Sequence, residues 1–135
     1  MRDSITITDI ISESISAIKS RGYEPEFCDD TNTEIMFMVE GVPMRVYELS
    51  EGIFGYCAEF KLNGKLADEV KTELCDVLDG EEVAVFEYIH FEEDAIVLSS
   101  GFPNECFDTG CIDDAITTVC AKGGIAEAIK SKTGV

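Results

Sequence analysis

The sequence predicts an α+β fold: one antiparallel sheet of five to six strands with three helices, in the order α-β-β-β(-β)-α-β-β-α. Three features carry that expectation. Apolar residues recur with helical period in three separate segments. Between those segments the period drops to two, as on a strand. The strand-like runs within each group follow one another through connections too short for parallel crossovers.

The first helix is expected over Thr8–Arg21, where Ile7, Ile11, Ile15 and Ile18 recur on one face and Ile10 widens the stripe. Thr8 or Asp9 is positioned to cap its start, because a side-chain oxygen there accepts from an unpaired amide. Lys19 and Arg21 suit the carboxyl end, and Gly22 supplies a stop. From Glu24 to Phe60 the period is two. Ile35, Phe37 and Val39 alternate with Met36 and Met38, and Gly41-Val-Pro43 reads as a turn into Met44–Leu49. Ser50-Glu-Gly52 then turns the chain into Ile53–Phe60.

Asn63 is a candidate cap for a second helix bearing Leu66, Val70, Leu74, Val77 and Leu78 on one face, ended by Asp79-Gly80. Val83–Phe91 and Ala95–Gly101 read as a hairpin across the acidic connection Glu92-Glu-Asp94. A third helix collects Ile112, Ala115, Ile116, Val119 and Cys120, with Asp108 or Thr109 near its start. Gly123-Gly124 interrupts it, and Ile125–Lys130 is expected to add a turn or two. Residues 1–135 are a suitable length for a single domain. Three helices over one face of such a sheet leave the other face and two strand edges to be protected or paired.

Charge narrows the functional classes. The chain carries 28 acidic against 10 basic side chains, a formal net charge of -18. Residues 1–67 have a net -6 and residues 68–135 a net -12. Such a balance disfavours nonspecific binding to nucleic acid and to anionic membranes. No apolar run reaches the ~20 residues of a membrane span, and no apolar signal core opens the chain, so a cytoplasmic location is expected. The acidic surface keeps the chain soluble or steers a basic partner towards it. Neither Asp29–Glu34 nor Glu92-Glu-Asp94 matches a calcium-loop pattern.

The six cysteines, at 28, 57, 75, 106, 111 and 120, are expected to be reduced and mostly structural, since unpaired Cys commonly packs as a small hydrophobe. Cys106, Cys111 and His90 are the only arrangement from which a thiol- or metal-dependent enzyme might be assembled. The spacing does not complete a zinc ligand set. Glu105, Asp108, Asp113 and Asp114 around the thiols oppose thiolate formation. No nucleophile elbow, phosphate-binding glycine loop or His-Glu-x-x-His helix occurs, so neither catalytic residues, metal nor cofactor are expected. Met36, Met38, Phe54 and Tyr56 are the candidate partner-binding residues, because flexible methionines and aromatic rings suit adaptable apolar recognition.

Several stretches together resemble the YbjN-type family of sensory-transduction regulators, whose fold is that of type III secretion chaperones. They are the helix end Arg21-Gly-Tyr23, the strands Ile35-Met-Phe-Met-Val39 and Gly41-Val-Pro-Met-Arg-Val46, and the second helix leading to Val83. The resemblance runs from Ile10 to about Val119 and contains no catalytic signature. It implies a small acidic, non-enzymatic protein that forms a homodimer and binds a protein partner or peptide segment, in a chaperone-like or regulatory role. An acidic immunity or antitoxin-type protein that neutralises a basic toxin is the alternative within the same broad class.

Overall fold

The computed structural model describes residues 5–28, 30–62, 67–78 and 88–120. Helix α1 spans Ile7–Ser20, and its cap is Thr6 rather than Thr8 or Asp9. The Asp9 amide donates to Thr6 Oγ1 at 3.2 Å, and the Thr6 amide donates to Asp9 Oδ2 at 3.2 Å. That reciprocal pairing is a capping box. Thr6 and Thr8 flank Ile7 at the start of the isoleucine stripe, so periodicity alone does not separate them; the acid three residues after Thr6 does. At the other end Gly22 takes φ +91°. Its amide donates to Lys19 O at 3.0 Å and the Tyr23 amide to Ile18 O at 3.3 Å, closing the helix in a Schellman motif.

Six strands form one sheet: β1 (Glu26–Phe27), β2 (Glu34–Val39), β3 (Val42–Ser50), β4 (Ile53–Lys61), β5 (Tyr88–Phe91) and β6 (Ala95–Pro103). Their spatial order is β1-β2-β3-β4-β6-β5, antiparallel at every junction. Strand β1 is too short for its alternation to show in the sequence. The β2–β3 turn is confined to Glu40 and Gly41, at φ 51° and 83°. Two left-handed residues match the twist of the strands they join, so Val42 and Pro43 already lie in β3.

Helix α2 covers Asp68–Leu78 and α3 covers Thr109–Cys120. At the start of α3 the Gly110 amide donates to Asp108 Oδ1 at 2.7 Å. Several expectations fall outside the described residues: the Asn63 cap, Leu66, the Asp79-Gly80 stop, residues 83–87, the Gly123-Gly124 break and Ile125–Lys130. The same holds for the side chains of Leu74, Val77, Leu78 and Cys120.

The core lies between the helices and one face of the sheet. Ile10 and Ile18 of α1 and Ile112 and Ile116 of α3 share a buried cluster with inward strand residues such as Ile35, Phe37 and Leu98. Helix α2 reaches it through Val70, with Lys71 Nζ 5.7 Å from the Phe91 ring centroid. Arg21 ties α1 to α3 by contacts with Asp113 at 3.4 Å and Thr117 Oγ1 at 3.3 Å.

Ser14 interrupts the isoleucine stripe of α1. It has no solvent exposure, and its hydroxyl has no hydrogen-bond partner among the described residues. A buried orphan hydroxyl is destabilising, whereas alanine at this position keeps the helix and removes the desolvated group. Ser14→Ala is therefore expected to raise the unfolding free energy by about 1 kcal/mol. Urea denaturation of both proteins measures it, and a loss of stability would refute the assignment.

Candidate functional site

Alternation along the strands sends one set of side chains into the core and the other onto a sheet face that no helix among the described residues covers. The ladder shows which residues share that open face. Met36 pairs with Arg45, Arg45 with Cys57 and Cys57 with Ser99. One step along, Tyr47 pairs with Gly55 and Gly55 with Gly101. In the other direction Met38 pairs with Pro43, while Glu59 pairs with Val97 and Val97 with His90.

The four residues singled out for partner binding divide between the faces. Met36 and Met38 lie on the open face, with Met38 48% exposed. Phe54 and Tyr56 point the other way and are 0% and 2% exposed. They join an aromatic cluster in which Phe54 meets Phe107 edge-on at 5.5 Å and Tyr56 lies 6.0 Å from Phe102. Their part is to hold the central strand against the helices. The sequence reading assigned them to a surface because Ile53–Cys57 is apolar at nearly every position, which hides which parity faces inward.

Reading by residue type also missed the centre of the open face. Gly55 and Gly101 sit directly opposite each other and leave a trough in the sheet. Tyr47 lies across Gly55: a Cβ added there would meet its ring at 3.0 Å and the Ser100 carbonyl oxygen at 3.1 Å. Leu49 lies against Gly101 in the same way, its Cδ2 2.8 Å from an added Cβ. Beside the trough is a pocket of about 180 Å³ lined by Pro43, Arg45, Cys57, Glu59, Glu92 and Val97. The available signal was the pair of glycines inside strand-like runs, a known mark of close approach.

Within the strands this face carries Glu26, Glu34 and Glu59 against Arg45 and Lys61, and Arg45 approaches Glu34 at 3.8 Å. The helices differ. Together α1, α2 and α3 carry eight carboxylates and two lysines.

Two of the thiols, Cys57 and Cys111, are poorly disposed for nucleophilic work. Burial pushes Cys57 up to about 11; Arg45 lowers it, while Glu34 and Glu59 raise it further. Cys111 is also raised, first by burial, with Asp108 and Asp114 adding to the effect. Its place in the first turn of α3 does not outweigh that burial and those carboxylates. His90 is opposite Val97, six residues before the end of β6 at Pro103. At ~3.3 Å per residue that end is about 20 Å away, with Cys106 beyond it. The structure thus does not bring His90 together with Cys106 and Cys111. Among the described residues no group of three or more His, Cys, Asp or Glu side chains is placed to hold a metal ion. No helix among them is long and apolar enough to cross a membrane.

A second concavity of about 420 Å³ runs between α1 and α3, lined by small or polar residues including Ser12, Ser16, Ser20 and Asp113. In comparison with known proteins, no family model, curated protein or solved structure matches the chain. The open sheet face is thus defined by its own geometry.

Two expectations test that geometry. Gly55→Ala forces its Cβ against the Tyr47 ring and a fixed carbonyl, and a loss of about 1 kcal/mol is expected, within the range for overpacked sites. Calorimetry checks it, and an unchanged melting temperature would show that the ring yields freely. The Cys57 thiol ionises near the ordinary 9.0 once unfolded but only at about 11 when folded. The folded state therefore holds its proton more tightly, and the stability this contributes is complete below pH 9 and lost as pH rises to about 11. Wild type is expected to lose more stability across that window than Cys57→Ala, as read by denaturation at each pH.

Proposed function

We propose that this protein is a non-enzymatic binding module, chaperone-like or regulatory, that self-associates and engages protein through the open face of its sheet. One observation carries the reading. Among the described residues, helices cover the six-stranded sheet on one face only, and its other face presents apolar side chains, among them Met38, Leu49 and Tyr88 at 48%, 56% and 61% exposure. Apolar side chains exposed on a sheet face among polar ones are the raw material of an interaction site. The likeness of Arg21-Gly-Tyr23 and the β2–β3 hairpin to YbjN-type regulators, and through them to secretion chaperones, supports the same reading. So do the raised thiols and the separation of His90 from Cys106 and Cys111, which weaken an enzymatic alternative.

A carboxylate at position 38 would be desolvated by any apolar partner, while Met38 is exposed enough for the fold to tolerate it. The Met38→Asp bait is expected to lose a near-stoichiometric protein partner that wild type retains from its host lysate under reducing conditions. Quantitative mass spectrometry of the two eluates measures this. Equal recovery by two folded baits would remove the open face from the function.

A further inference from the structure

We infer that the recess beside Arg45 on the open face is a binding site for a free basic α-amino acid, of the lysine or arginine type. The site needs no protein on the same face, so it stands apart from the proposed function.

The lining sets the charge of its occupant. Pro43, Arg45, Cys57, Glu59, Glu92 and Val97 enclose about 180 Å³. Drug-sized ligands occupy pockets of ~300–1,000 Å³, so this one admits a molecule of amino-acid size. Its walls carry one guanidinium and two carboxylates. Among the described residues neither Glu59 nor Glu92 has a cation within ion-pair distance, although Lys61 follows Glu59 on the same side of β4. Arg45 has a long ion pair with Glu34, at 3.8 Å, and its side chain stays 52% exposed. Cys57 adds no charge, because burial holds its thiol protonated. The recess therefore offers a net single negative charge to a ligand with two cationic groups and one anionic group.

Position puts those charges in order. Arg45 of β3 is opposite Cys57 of β4, and Glu59 lies two residues further along β4 on the same face. Val97 of β6 is opposite Glu59, and Glu92 directly follows the end of β5 at Phe91. The Glu92 amide donates to Ala95 O and the Leu62 amide to Asp94 O, both at 2.8 Å, which ties the β5–β6 turn to the sheet. Across strands β3, β4, β6 and β5 the face thus reads positive, negative, apolar, negative. A basic α-amino acid presents the complement: carboxylate, α-ammonium, alkyl stem and terminal cation. Its carboxylate meets Arg45 in a two-point charge-assisted pair, a stronger contact than the single long approach of Glu34. Its α-ammonium meets Glu59, its stem lies over Val97, and the flexible stem carries the terminal cation to Glu92.

Diffuse attraction does not explain such a match. A chain of net charge -18 draws any small cation towards it, but that field repels a carboxylate. Only the recess, through Arg45, makes the ligand's carboxylate favourable.

Isothermal titration calorimetry on the purified full-length chain at about 150 mM NaCl tests the inference, with L-lysine and L-arginine as probes from about 0.1 to about 10 mM. At least one of them is expected to bind one-to-one with Kd below about 1 mM. Norleucine, which is lysine without its terminal amine, and cadaverine, which is lysine without its carboxylate, are each expected to bind at least about tenfold more weakly. Arg45→Gln, Glu59→Gln and Glu92→Gln are each expected to cost a similar factor, with circular dichroism confirming that every variant is folded. Glu69→Gln, on α2, leaves the affinity unchanged.

No saturable binding of either amino acid up to about 10 mM overturns the inference. Cadaverine binding as tightly as lysine also overturns it, because the acidic surface alone would then account for the interaction. Saturable binding indifferent to the substitutions at positions 45, 59 and 92 places the ligand elsewhere and overturns the assignment to this recess.

Discussion

The contact between the isoleucine stripe of α1 and the inner face of the sheet sets what every other part of this molecule can do. Ile10 and Ile18 are fully excluded from solvent, and so are the strand residues Ile35, Phe54 and Leu98 in the same cluster. The gain from removing these surfaces from water is nondirectional, but its consequence on a strand is not. Successive side chains point to opposite faces, so burying one set commits the other to the outside. Met36, Met38, Arg45 and Tyr47 face outward because Ile35, Phe37, Met44 and Val46 face in.

That commitment accounts for the chemistry of the site. Cys57 shares β4 with Phe54 and Tyr56, yet it lies on the open face with a thiol held protonated by burial and by nearby carboxylates. His90 also reaches the open face, near the start of β6, while Cys106 and Cys111 follow the far end of that strand. The groups from which a nucleophile or metal centre might be assembled are therefore dispersed by the sheet. Apolar and small side chains occupy that face in their place.

The acidic composition acquires a direction from the same layering. The helices carry most of their charge on the side away from the sheet, and their eight carboxylates face only two lysines in the same elements. On the open face Glu26, Glu34 and Glu59 stand against Arg45 and Lys61. Negative charge is therefore concentrated more heavily on the helical layer than on the sheet.

The sequence by itself determined the class of fold, the order of its elements and the inward set of α1, because isoleucines at helical spacing and alternation in β2 and β3 are local properties. It also showed that the charge is acidic and concentrated in the second half. Its readings faltered where the local pattern was degenerate: Thr6 and Thr8 offer the same hydroxyl, and the two residues of β1 are too few to alternate. Along Ile53–Cys57 nearly every side chain is apolar, so Phe54 and Tyr56 looked as available for a partner as Met36 and Met38. Only tertiary structure decided between them, since which parity of a strand is buried depends on where distant helices pack. It alone also set Gly55 opposite Gly101 and laid Tyr47 over the gap, because cross-strand register joins residues that sequence spacing does not relate.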